Sequence, residues 1–122
     1  MAETATDLVA ELRDRVGDDL RVAGRHDADD WTIEYLRDDL RETYGVDAVD
    51  DIADDLVLNV LGDRRQQDLY DLGDLRATVR LFEDGFVVHV PTGDRGGYLV
   101  SLDQSADVMG QDVVAVVRDA LA

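Results

Sequence analysis

Cysteine and lysine are both absent from the 122-residue sequence. Without cysteine there can be no disulfide framework, no thiolate nucleophile and no thiolate metal site. Proline occurs once, at Pro91, and no Pro/Ser-rich stretch divides the chain. Aromatic residues make up only 6% of it. The apolar runs are a handful of residues long, far short of the ~20 that a membrane helix needs. The opening Met1-Ala2-Glu3-Thr4 is acidic and polar, with neither the basic nor the apolar region of a signal peptide. A single domain in the cytoplasm, with no membrane association, is the expectation from these absences.

What is abundant is negative charge. There are 29 acidic residues against 12 basic ones, for a net charge of −17, and all twelve basic residues are Arg. Asp outnumbers Glu, 24 to 5. In dilute buffer such a chain repels itself. At molar salt the Debye length falls to ~3 Å and the repulsion is screened. The acids are spread evenly and 45% of the residues are hydrophobic, a composition that can fold. A halophilic setting is expected, with the carboxylates serving solvation. Direct nucleic-acid binding is disfavoured by the same charge.

Periodicity supplies the elements. Leu8, Val9, Leu12 and Val16 recur at helical spacing, Thr4 or Thr6 can cap that helix, and Gly17 can end it. Leu20 and Val22, then Trp31, Ile33 and Tyr35, alternate as two strands of a hairpin around His26-Asp27-Ala28-Asp29-Asp30. Residues 38–72 read as mainly helical: Asp47 can cap a helix with Val49, Ile52, Ala53, Leu56 and Val60 on one face, and Gly62 can stop it. Further helical turns fit residues 63–70, and Gly73 closes the block. Leu75 to Leu81, Phe86 to Val90 and Tyr98 to Leu102 alternate as three strands, with Asp84-Gly85 predicted as a two-residue turn that needs positive φ at Gly85. A last helix, capped by Ser105 or Asp107, carries Val113, Val114, Val117 and Leu121.

The predicted fold is therefore α+β: a five-stranded, mainly antiparallel sheet with helices, in the order α-ββ-α(α)-βββ-α. This order is similar to that of roadblock/longin and profilin-like domains, and also to PAS and GAF sensor domains. The segment Tyr35-Leu36-Arg37-Asp38-Asp39, with Gly73-Asp74-Leu75-Arg76-Ala77-Thr78-Val79-Arg80, resembles a family of short, acidic haloarchaeal proteins without assigned function. The resemblance runs from about Leu20 to Asp103 and implies no catalytic residue.

Several constellations can be weighed for chemistry. His26 with Asp27, Asp29 and Asp30 can offer ligands to a hard divalent cation, but an Asp-rich surface loop is the ordinary reading and no structural metal or cofactor is expected. His89 can act as a general base only with a partner, and Ser101 on the neighbouring strand is the nearest hydroxyl. The loop Gly93-Asp94-Arg95-Gly96-Gly97 can turn backbone N–H groups to an anion, so Arg95, Gly96, Gly97 and His89 are the candidate ligand contacts. Arg64, Arg65, Arg76 and Arg80 concentrate basic charge in one region and can meet a phosphate or an acidic partner; pairing with nearby Asp is the simpler role. The broad apolar face of the last helix makes Val113, Val116, Val117 and Leu121 the expected interface of a homodimer. The function expected is a non-enzymatic interaction or regulatory module. A small-ligand sensor of PAS or GAF type is the alternative, and a hydrolase using His89 ranks behind both.

Overall fold

The computed structural model describes residues 5–27, 31–42, 51–52, 55, 62, 65–92 and 96–121. Helix α1 spans Ala5–Val16 and buries Leu8 and Leu12, one turn apart on its apolar stripe. Gly17 then takes φ +59, the left-handed conformation expected of a helix stop, and opens a 3-10 turn, Gly17–Asp19. The proposed caps Thr4 and Thr6 fall where the side chains are outside the described residues.

Strands β1 (Leu20–His26) and β2 (Trp31–Leu36) pair antiparallel, with a bulge between Ala23 and Gly24. A 3-10 turn, Asp38–Leu40, follows and buries Leu40. Residues 51–52, 55, 62 and 65–70 are helical, Gly62 among them, and the residues on either side of Gly62 lie outside the described residues. The cap proposed at Asp47, with Val49, Ala53, Leu56 and Val60, lies outside the described residues. Asp71 (φ +54) and Gly73 (φ +88) turn the chain out of this block.

Strands β3 (Thr78–Leu81), β4 (Gly85–Thr92) and β5 (Gly96–Asp103) complete the sheet, and helix α2 (Gly110–Leu121) follows. Strand order is β2-β1-β5-β4-β3, antiparallel throughout. The two-strand and three-strand units are thus joined by β1 pairing with β5, which becomes the central strand. Both helices lie on one face. Tyr98, Val100 and Leu102 of β5, Phe86, Val88 and Val90 of β4, and Leu20 and Ala23 of β1 meet Leu8, Leu12, Val113, Val116 and Val117 there. Each fully buried Leu or Val contributes about 2 kcal/mol of transfer free energy, before the entropy of ordering it.

Three boundaries differ from expectation. Strand β3 begins at Thr78, because the Leu75 N–H donates to Gln67 Oε1 at 2.7 Å and holds the preceding residues against the helical block. The tight turn is displaced by one residue. Phe82 N–H donates to Gly85 O at 2.8 Å, so Glu83 and Asp84 form the tip, and Gly85 is already in β4 without positive φ. Helix α2 starts at Gly110, not after Ser105 or Asp107. Ser105 instead donates to Asp19 Oδ1 at 2.8 Å, and Asp112 accepts the Met109 N–H at 3.4 Å as the reciprocal half of a cap.

Candidate interaction surface and the open face of the sheet

The apolar face of α2 is used internally. Val113 and Val117 are almost fully buried, Val116 is 5% exposed, and Leu121 packs partly against the same cluster. The side chains expected to meet a second molecule are therefore covered by the chain's own sheet and by α1. The sequence shows how apolar the helix is, but not that two elements share its burial.

Exposed apolar surface gathers elsewhere. Leu81 is 81% exposed, Phe82 62% and Leu72 86%; Val79 of β3 is exposed too, as are Leu69, Tyr70 and Met109. Strand β3 is an edge of the sheet, so one row of its backbone N–H and C=O groups lies outside the ladder. Consecutive Leu81-Phe82 at a strand end is a partial signal: alternation sends one side chain away from the core, and only the strand's place at the sheet edge leaves the other uncovered. Arg65, Arg76 and Arg80 lie in this same region, whereas Arg64 is outside the described residues.

The face away from the helices bears a cleft of about 970 Å³, lined by Trp31, Ile33, Leu36, Val87, Leu99 and Phe82 and by residues between 51 and 66. Arg21, Arg37 and Asp103 among its charged groups are bound to one another. Arg37 donates to Asp39 Oδ1 at 2.6 Å, to the Asp18 carbonyl at 2.8 Å and to Asp103 at 2.5 Å. Hydrogen bonds to Asp39 and Asp103 raise the Arg37 pKa, and the reciprocal bond lowers that of Asp39. Arg21 donates to Ser101 Oγ at 2.9 Å and lies 3.6 Å from Asp103. Ser101 is thus engaged with Arg21, not with His89.

His89 finds a different partner. Its Nε2 lies 2.9 Å from Nε2 of His26, and both rings are buried. His26 was placed by sequence in an exposed acidic loop. It is instead the last residue of β1, turned inward, while Asp29 and Asp30 lie outside the described residues. Among the described residues no three of His, Asp or Glu converge as a metal site. Gly96 and Gly97 pair with Thr92 and Pro91 inside the β4–β5 ladder, so their N–H groups do not form an open anion loop. Arg95 is outside the described residues. On the helix side, Tyr98 is buried and donates to Glu34 Oε1 at 2.6 Å, while Arg25 bonds Glu34 Oε2 at 2.8 Å. Burial, and then the bond to Glu34, raises the Tyr98 phenol pKa. Nothing in the sequence marks the His26–His89 and Tyr98–Glu34 pairs, since each is made by strands brought together only when β1 joins β5, whereas Arg25–Glu34 lies within the β1–β2 hairpin.

Among curated proteins no match to the sequence is found. Solved structures are similar in fold. Myxococcus xanthus MglB superposes with a TM-score of 0.68 at 13% identity, over 95% of this chain and 87% of that one. An MglB with tetrameric arrangement gives 0.64 at 13% identity, over 96% and 90%. The roadblock/LC7 domain from Streptomyces avermitilis gives 0.61 at 20% identity, over 97% and 94%. The five-stranded antiparallel sheet with its helices is thus a roadblock-like fold, the first of the topologies that the element order resembles, and the PAS/GAF alternative is not favoured. The family model described as a domain of unknown function, DUF7522, matches residues 6–122, and the chain belongs to that family.

Proposed function

We propose that the chain is a non-enzymatic interaction module of a salt-rich cytoplasm that acts as a homodimer, its subunits meeting at the β3 edge. The supporting observation is the exposed apolar set around that edge, with Leu81, Phe82 and Leu72 all more than half exposed. A two-fold axis beside β3 would pair the two edges and cover both copies of the patch at once. The tetrameric arrangement named for one MglB structure is consistent with a fold that associates. The hydrolase reading has lost its geometry, because His89 bonds His26 and Ser101 bonds Arg21.

Light scattering in molar KCl tests the proposal. A dimer is expected at micromolar protein. Leu81→Asp and Phe82→Asp should each shift it to monomer with little change in melting temperature, because neither side chain is in the core. A monomeric wild-type chain, or a dimer indifferent to both substitutions, would overturn the reading.

A further inference from the structure

We propose that His26 and His89 form a buried, proton-sharing latch that fastens β1 to β4 over Gly97, and that its hydrogen bond survives the first added proton and is lost with the second. The two residues are 63 positions apart and stand on strands that flank β5 from opposite sides. Gly97 of β5 is what lets them meet. A Cβ at that position would lie 2.4 Å from His89 Nε2 and 2.8 Å from His26 Nε2. Only a residue without a side chain leaves room for two imidazoles to cross the central strand.

The arrangement of the rings fixes the chemistry. Their planes are 20° apart and their centroids 5.1 Å apart, against an Nε2 separation of 2.9 Å. The excess of centroid over nitrogen distance is about one ring width, so the rings lie end to end with their Nε2 atoms facing. That is an N–H···N hydrogen bond. A metal ion between these atoms would need room along the line joining them, with two bonds of about 2 Å each.

One ring must donate and the other accept. His26 Nδ1 is buried with no hydrogen-bond partner among the described residues. A buried N–H left unpaired is rarer than an unpaired acceptor, so the His26 proton belongs on Nε2 and His89 accepts. His89 then carries its own proton on Nδ1. A first added proton enters at His26 Nδ1, beside Asp27, and leaves the Nε2–H···Nε2 bond intact. A second would have to enter at His89 Nε2, where it would confront the His26 N–H head-on.

The electrostatics agree with that order. Burial lowers the His26 pKa from its ordinary value of 6.5, and Asp27 opposes the shift. Burial, then the His26 charge, then Arg80, push His89 down to about 4. Among the described residues, Trp31 of β2, Gly97 and Leu99 of β5 and Thr78 of β3 also adjoin the pair, all of them uncharged. Asp51 and Asp55 stand across the cleft. The unfolded chain takes both protons near pH 6.5 and the folded chain resists the second until about pH 4. Stability therefore falls as pH drops through that window, so the latch loosens this end of the sheet on acidification.

Nitrogen-15 NMR of the full chain in molar KCl, titrated from about pH 8 to pH 4, reads the pair directly. The expected result is opposite tautomers, Nε2–H on His26 and Nδ1–H on His89, with protonation in two separate steps. In parallel, His89→Gln should flatten the fall in melting temperature between about pH 7 and pH 5.5, above the carboxylate range. The NMR arm stands even if that variant fails to fold. Identical tautomers, joint titration of both rings near 6.5, or a shift of either Nε2 signal on adding EDTA or Zn²⁺ would overturn the latch.

Discussion

At the scale of single residues, Gly97 and Gly85 are among the glycines constrained by closeness, not by φ. At Gly97 the nearest atoms to an added Cβ are the ends of two imidazole rings, which can swing aside. At Gly85 the nearest atom is the backbone oxygen of Leu102, at 2.5 Å, held in the ladder with β5. Gly97→Ala is therefore expected to separate His26 from His89 and cost about 1–2 kcal/mol, mainly the lost hydrogen bond and the repacking of two rings. Gly85→Ala should cost more, about 2–3 kcal/mol, since backbone must move. Urea unfolding in molar KCl compares the two. Equal costs, or a larger cost at Gly97, would show that the rings are not free to yield.

At the scale of elements, the turn after β3 shows why part of the fold could be read and part could not. Alternation of Val79 and Leu81, then Phe86, Val88 and Val90, fixes two strands and a tight connection between them. It does not fix which two residues form the tip, because an Asp-Gly pair signals a turn only if the glycine's freedom of φ is the reason it is there. Here Gly85 is needed for close approach to β5, and Glu83-Asp84 take the tip. Asp84→Ala is accordingly expected to change stability by no more than about 0.5 kcal/mol, the range of ordinary surface substitutions. A loss of several kcal/mol in the same unfolding assay would return Asp84 to a special role. The helix α2 tells a similar story. Its apolar positions are plain in Val113, Val116 and Val117, but periodicity reports hydrophobicity, not the neighbour that satisfies it. The exposed set at the β3 edge carries the opposite lesson. Leu81 ends β3 and Phe82 begins the turn; alternation accounts for one exposed side chain, and the place at the sheet edge leaves the other uncovered as well. The His26–His89 pair lay beyond any local reading, because it depends on the β1–β5 closure that places both strands beside Gly97.

At the scale of the whole molecule, charge and core pull against each other, and salt decides the balance. The net charge of −17 is spread over a chain of 122 residues whose folded form brings those charges closer together. Among the described residues, the core that opposes this repulsion is formed by helices α1 and α2 on one face of a five-stranded sheet. Ion pairs do not resolve the conflict. Arg13 with Asp18, Arg15 with Glu11 and Arg41 with Asp38 are pairs whose side chains are about half exposed or more, and such pairs contribute at most about 1 kcal/mol each. Arg37, Arg21 and Asp103 form a better covered group, but acids outnumber bases 29 to 12, so most carboxylates have no cation to meet. Salt in solution is expected to supply further screening. At 0.1 M salt the Debye length is ~10 Å, long enough for neighbouring surface carboxylates to repel; at 1 M it is ~3 Å and they scarcely interact. The melting temperature is therefore expected to climb steadily from low to molar KCl. Charge-neutralising Asp→Asn changes on the exposed surface should flatten that climb by raising its low-salt end. The same screening favours contact between two copies at the β3 edge, so the dimer population should rise over the same range of salt. A melting temperature flat in KCl would show that the core alone outweighs the repulsion, and the high acidic content would then need another explanation.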